Sequence, residues 1–232
     1  MVDLLCKCPV CGSPTYKSLV ICEDCARQLD SECFDSFMDR CPVCFYPRVA
    51  PVYRCERCLG YPQGAYKVFP VARYDGEISY SIIDSLKFHG HKKLASVVAL
   101  YLRRALSVLD SDSEALLVPI PCSASRIKTY GFDQMTEVCK ALKREYLPLI
   151  INSSEAKRTS TQQKKLGREE RLEHSSGRFM MNPSITFEEL RSRPVIVVDD
   201  IVTTMSTMNA AIRLLYDNGF ENVSGASWLA EL

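Results

Sequence analysis

The sequence predicts an α/β fold: a mainly parallel sheet with helices on both faces, preceded by a small cysteine-rich region. Three observations predict it. From residue 68 onward, short β-leaning apolar runs alternate with stretches of helical periodicity. Four Cys-x-x-Cys pairs crowd the chain before residue 59. The apolar run Val195-Ile196-Val197-Val198 ends in Asp199-Asp200 and a hydroxyl-rich turn, as a buried parallel strand with a ligand site at its carboxyl end would.

The cysteine region comes first. The pairs are Cys8/Cys11, Cys22/Cys25, Cys41/Cys44 and Cys55/Cys58. In a reducing compartment such spacing reads as metal sites and not disulfides. Cys8-Pro9-Val10-Cys11 recurs 33 residues later as Cys41-Pro42-Val43-Cys44, and the same offset carries Cys22 onto Cys55 and Cys25 onto Cys58. Each unit therefore reads C-x2-C-x10-C-x2-C. Tandem copies favour two sequential zinc ribbons with one ion each; an interleaved cross-brace, with the first and third pairs on one ion, is the alternative. Four thiolates complete a tetrahedral Zn²⁺ shell and leave no position for water, so the metal's expected role is structural. Cys6, Cys33, Cys122 and Cys139 read as ordinary small or buried residues.

Gly60-Tyr61-Pro62-Gln63-Gly64 is a turn-rich break, which puts the domain boundary between 1–64 and 65–232. After it, Val68 to Tyr74 reads as a strand, and Asp75-Gly76-Glu77 opens a helix with Ile78, Ile82, Ile83 and Leu86 on one face. A second helix carries Leu94, Val97, Val98, Tyr101, Leu102, Ala105, Val108 and Leu109 on one apolar face. Leu116 to Ile120 is a strand, Phe132 to Tyr146 a helix, Leu149 to Asn152 a short strand, and Gly177 to Met181 another. The Val195 strand, a helix lined by Met208, Ala211, Ile212 and Leu215, and a strand from Val223 to Leu229 complete the chain.

Composition is that of a water-soluble globular protein: 47% hydrophobic and 25% charged residues, with a formal net charge of +1. No apolar run approaches the ~18–20 residues of a membrane span, and the first residues lack the pattern of a signal peptide, so the expected location is the cytoplasm without membrane insertion. Residues 85–109 hold Lys87, Lys92, Lys93, Arg103 and Arg104 and no acid. Such a stretch is either a phosphate or nucleic-acid surface or simply the polar side of two helices. Residues 153–178 are rich in Lys, Arg, Ser, Thr and Gln; a polar connection of this length suggests a lid over an anionic ligand.

The strongest chemical signal is the segment after Val198. Adjacent acids suit sugar hydroxyls, and Thr203, Thr204, Ser206 and Thr207 fall where backbone N–H groups and hydroxyls at a helix start can cradle a phosphate. Together they suit a phosphorylated ribose. The segment resembles the phosphoribosyl pyrophosphate (PRPP) signature of type I phosphoribosyltransferases, with Met205 where that pattern has Gly. A Met there keeps the N–H but threatens to crowd the phosphate seat.

Taken over nearly its whole length, the chain resembles the ComF family of competence-associated proteins, including its GntX-like members. The matching pieces are the N-terminal cysteine array, Tyr74-Asp75-Gly76, Leu86-Lys87-Phe88, Val118-Pro119-Ile120-Pro121 with Arg126, Gly131-Phe132-Asp133-Gln134, and Arg158-Thr159-x-x-Gln162 with Leu166 and Arg171. Tyr130 stands for the family's Arg and Asp133 for its Asn. The resemblance implies a type I phosphoribosyltransferase-like domain behind a double zinc ribbon. It assigns the catalytic and ribose-binding role to Asp199 and Asp200, and the 5′-phosphate to Thr203, Thr204, Ser206 and Thr207. Arg126 would contact pyrophosphate, with Arg158 and Arg171 closing from the lid, and Mg²⁺ would arrive with PRPP. It also implies handling of single-stranded DNA in natural competence, together with competence-machinery proteins. Two other readings stay open: an active phosphoribosyltransferase on an unidentified acceptor, and an adaptor whose zinc ribbons dock a protein.

Overall fold

The computed structural model describes residues 5–34, 41, 67–110, 112–153 and 178–231. Cys44, Cys55 and Cys58 of the second cysteine unit, and Arg158 and Arg171 of the expected lid, lie outside the described residues.

The cysteine-rich part begins with an antiparallel pair, β1 (Leu5–Lys7) and β2 (Pro14–Tyr16), and a helix α1 (Glu23–Glu32). The main domain follows the chain order β3 (Val68–Arg73), α2 (Glu77–Phe88), α3 (Ala95–Leu109), β4 (Leu116–Pro119), α4 (Ala124–Tyr130), α5 (Gln134–Leu142), β5 (Ile150–Asn152), β6 (Phe179–Met181), β7 (Val195–Val202), α6 (Ser206–Asp217) and β8 (Val223–Ala230). Strands β3, β8, β7 and β4 form one sheet in that order, and every neighbouring pair is parallel. The expected α/β class with a parallel sheet is therefore what the chain adopts.

Strand periodicity divides the core between two faces. Ile196 and Val198 of β7, Leu117 of β4, and Ala226 and Trp228 of β8 pack with α2, α3 and α5. Val195 and Val197, with Leu116 and Val118, face α6 through Met208, Ala211, Ile212 and Leu215. Gly225 lets α6 approach the sheet: a Cβ there would lie 2.7 Å from the Met208 Sδ.

Three elements differ from the sequence expectation. The expected helix from Phe132 to Tyr146 is shorter, because Asp133 caps its start and Lys143, at φ +57°, ends it. Of the strands expected at Leu149–Asn152 and Gly177–Met181, the described residues Ile150–Asn152 and Phe179–Met181 stand outside the main sheet as a two-stranded antiparallel unit, β5–β6. Residues 124–130 form α4, which buries no side chain and so carries no apolar periodicity to read.

The N-terminal residues dock on the main domain by backbone and side chain. Cys33 bridges Ala72, and the Phe34 N–H donates to the Val71 carbonyl at 3.0 Å, so the outer edge of β3 is covered. Glu32, at the end of α1, is 5% exposed. Its carboxylate accepts the Ile78 N–H at 3.0 Å and the Ser79 N–H at 2.7 Å, capping α2 from another segment. Gly76 makes room for it: a Cβ there would fall 2.5 Å from the Glu32 Oε2. Trp228, fully buried, donates its indole N–H to the Ser79 carbonyl at 3.0 Å. Tyr101 lies edge-on to Trp228 and hydrogen-bonds Asp30 at 2.8 Å, so this aromatic is committed to the junction.

Glu32→Ala strands two buried amide donors, each worth about 1–3 kcal/mol when left unpaired. The variant should lose about 2–4 kcal/mol in urea unfolding on that basis. An unchanged midpoint would mean that this cap does not hold α1 to α2.

Candidate functional site

The first cysteine unit forms a compact cluster. Cys8 and Cys11 sit on the turn between β1 and β2, Cys22 caps α1, and Cys25 lies in its first turn. The four sulfurs all lie within 4.8 Å of one another, with Cys8–Cys25 at 3.9 Å and Cys11–Cys22 at 3.5 Å. A tetrahedral Zn²⁺ with Zn–S near 2.3 Å spaces its sulfurs by about 3.8 Å, so the cluster suits one zinc ion. Among the described residues this unit is self-contained, and buried Cys41 is not part of it. The first unit thus gathers its own four cysteines and not pairs from both copies.

The second site lies at the carboxyl end of the sheet. β4 pairs with β7 only as far as Pro119 opposite Val198, while β7 continues to Val202 beside β8. Asp199 and Asp200 therefore emerge where β4 has turned away, and a cleft of about 260 Å³ opens between them and the loop after β4. The cleft is lined by Asp199, Asp200, Arg126, Arg178, Thr207 and Asn152, among others. A smaller space of about 20 Å³ is bounded by Asp199 and residues 201–208, including Thr203, Thr204, Ser206 and Thr207.

Adjacent positions on a strand point to opposite faces, which separates the two acids chemically. Asp200 meets the α2 and α5 side. Lys87, near the end of α2, places Nζ 2.5 Å from its Oδ2, and the Gln134 amide donates to the same oxygen at 3.4 Å. Asp199 is 6% exposed and accepts the Asp200 N–H at 2.8 Å. Burial, with the Asp200 charge beside it, pushes the Asp199 carboxyl up to about 8. At neutral pH it is mostly protonated and can both donate and accept.

The loop after β4 is held by Asp133. One carboxylate oxygen accepts the Thr136 N–H at 2.8 Å and caps α5; the other accepts the Cys122 N–H at 2.6 Å. An Asn offers a single acceptor oxygen and could not do both so well. The Asn152 amide donates to the Cys122 carbonyl at 2.9 Å, tying the same loop to β5. Phe88 and Tyr130 meet edge to face at 6.1 Å, with the Arg126 guanidinium 5.7 Å from the Phe88 ring.

Met205 adopts φ +62°, the conformation a Gly would supply, and begins α6. Its side chain is buried in the core cluster on the α6 side. It also borders the small space at this turn, so the residue serves both the core and the wall of that space. Arg178, Lys87 and Gln134 are the polar partners that sequence reading gave no place in the site. Lys87 and Gln134 stood in family-like segments, while Arg178 was one basic residue among many.

No protein-family model matches the chain. It is 26% identical over 232 residues to the competence protein ComFC of Streptococcus pneumoniae (strain ATCC BAA-255 / R6), covering 94% of this chain and 96% of that protein. This near full-length similarity supports a ComF family assignment. Among the described residues, no helix is long and apolar enough to cross a membrane.

Two outcomes follow from these sites. Cys25→Ala should remove one equivalent of zinc per chain in elemental analysis and lower the melting temperature; undiminished zinc would exclude this cluster. For Asp199, the folded carboxyl near 8 lies above the ordinary value, so the folded state keeps a proton that the unfolded chain has lost between about pH 4 and pH 8. Its contribution to stability is full below that window and is lost as pH rises through it. Asp199→Asn should therefore be more stable than the parent by about 1–3 kcal/mol at pH 8.5, with the difference shrinking toward pH 5.5. A difference independent of pH, in paired thermal melts, would refute that origin.

Proposed function

We propose that this ComF-family protein binds PRPP, or a related phosphorylated ribose, in the cleft at the end of β7, and acts in the uptake and handling of single-stranded DNA in natural competence. The observation that carries the binding reading is the convergence of Asp199, Asp200, Arg126 and Thr207 on one cleft at the carboxyl ends of β4 and β7, beside the Thr203–Thr207 turn. The protonated Asp199 carboxyl and the Lys87-held Asp200 suit the ribose hydroxyls. The uncapped start of α6, with Thr204 and Ser206 joined at 3.0 Å, suits a phosphate. Arg126 suits the pyrophosphate end.

Mg²⁺ fits this chemistry because carboxylate and phosphoryl oxygens are the donors it prefers. Bound with PRPP it would neutralise pyrophosphate charge. Asp200 is already neutralised by Lys87, so the ligand's own oxygens and water would supply most of the ion's shell. The same geometry would serve displacement of pyrophosphate from the ribose by an acceptor, where positioned charge does most of the work.

The competence role rests on the similarity to ComFC. Of the five cations in residues 85–109, Lys87 is taken by Asp200 and Lys92 by Glu137 at 2.9 Å. Lys93, Arg103 and Arg104 are exposed and stand for phosphate contacts with a single strand, and exposed Phe88 for base stacking.

Calorimetry with PRPP and Mg²⁺ tests the pocket. The parent should bind, and Asp199→Ala/Asp200→Ala should weaken binding by about 100-fold or more, since the hydrogen bonds of both acids to the ribose hydroxyls are lost. No heat from the parent, or an unaffected double variant, would overturn the reading. On the same preparation, oligothymidylate affinity should fall about 100- to 1,000-fold per tenfold rise in salt if three or four phosphates are contacted. A flat response would remove the DNA reading and leave the sugar-phosphate one standing.

A further inference from the structure

Arg178 has a place in the cleft that the reading above does not use. It stands immediately before β6, whose antiparallel pairing with β5 sets Phe179 opposite Asn152. The Ser153 N–H donates to the Arg178 carbonyl at 3.1 Å, so the backbone is fixed on both sides of this position. Phe179 is buried, and the Arg178 guanidinium lies 5.3 Å from its ring centroid. Nη1 donates to the Thr207 hydroxyl oxygen at 2.6 Å. The guanidinium is thereby carried from a separate two-stranded unit onto the first turn of α6.

Two chemical consequences follow. Because the Thr207 oxygen accepts from a cation, its own O–H must be donated elsewhere, and that proton is polarised. Thr207 and Arg178 both line the cleft. A guanidinium also has five N–H donors in one plane. Among the described residues Arg178 spends one of them on Thr207, and those left over are arranged for two oxygens of one phosphate.

Charge decides which anion. Lys87 is paired with Asp200 and is not available to an anionic ligand. Among the residues lining the two spaces, Arg126 and Arg178 are the cations. Arg126 belongs to α4, and Arg178 is the one joined to the turn at the start of α6.

We propose that Arg178 is a ligand-binding residue that recognises the phosphate monoester of a 5′-phosphorylated ribose, and that it selects such compounds over unphosphorylated ribosides. The inference rests on the sugar-phosphate reading of the cleft and adds the group that reads one end of the ligand. It divides the labour: Arg178 with Thr207 holds the monophosphate, and Arg126 the pyrophosphate.

The test titrates the full chain separately with ribose 5-phosphate and with Mg²⁺-pyrophosphate, using the parent, Arg178→Gln and Arg178→Lys. Arg178→Gln should weaken ribose 5-phosphate by about 10- to 100-fold and leave pyrophosphate within about twofold. Arg178→Lys, which keeps the charge but not the fork, should show a smaller loss of the same selectivity and serves if the Gln variant fails to fold. Equal loss of both ligands would show a merely structural role and overturn the proposal, as would loss of neither. A parent that binds pyrophosphate and PRPP but not ribose 5-phosphate would refute this inference alone; a parent that binds none of the three would refute the sugar-phosphate reading with it.

Discussion

Two carboxylates at consecutive positions on a buried strand end repel each other and resist desolvation, and the way this chain compensates them organises much of the structure. The contact that does so is Lys87 on Asp200, at 2.5 Å and with both side chains mostly shielded from water. It places the end of α2 against the sheet's ligand end. The start of α2 is held by Glu32, which belongs to α1, and α1 begins at two cysteines of the metal-type cluster. Helix α2, about 18 Å long at 1.5 Å per residue, is thus a strut from the cysteine cluster to the acid pair. Breaking a shielded ion pair at one partner costs far more than the pair contributes, because the other charge is left alone. The N-terminal region is in this sense part of the site's scaffold, through packing and not through any contact with the cleft.

Met205 shows how a departure from a familiar pattern can be absorbed. The turn after β7 needs one residue at positive φ so that the chain can enter α6. A non-glycine residue pays about 1–2 kcal/mol for that conformation. Burying a methionine side chain returns about 1.5–3 kcal/mol, and this one is 8% exposed in the cluster on the α6 side. The two terms are of similar size, so a methionine is tolerable at this positive-φ position. The backbone conformation is set by the strand-to-helix junction, and the side chain follows the core.

What was legible in the sequence was what depends on local pattern. Val195 to Val198 announced a buried strand, the adjacent acids marked its end, and the hydroxyls gave the turn. The repeat of C-x2-C-x10-C-x2-C left the pairing open, which distances among Cys8, Cys11, Cys22 and Cys25 resolve for the first unit. What was not legible depends on partners distant in sequence. Lys87 lies more than a hundred positions from Asp200, and only the crossing of α2 over the sheet brings them together. Arg178 sat within a polar stretch with no apolar rhythm to register it, and its role follows from the β5–β6 pairing. Arg103 and Arg104 read as one basic stretch with Lys87 and Lys92, yet folding assigns those lysines to Asp200 and Glu137.

The opposite fates of Asp199 and Asp200 bear on how an anionic sugar can be accepted beside two acids at all. Asp200 is paired with Lys87 and contributes little net charge to the cleft. Asp199, raised by burial and by its neighbour, holds a proton up to about pH 8. The pair therefore presents close to zero net charge at neutral pH, so the favourable field of Arg126 and Arg178 is not cancelled. A ribose hydroxyl donating to Asp199 would favour its ionised form, and so would the approach of a cation carried by the ligand. Ligand binding and proton release are then linked at this carboxyl: the empty site favours the neutral acid, and the occupied site favours the carboxylate. An acid pair built this way would not need permanent negative charge to recognise hydroxyls, which is what the proposed sugar-phosphate ligand requires of it.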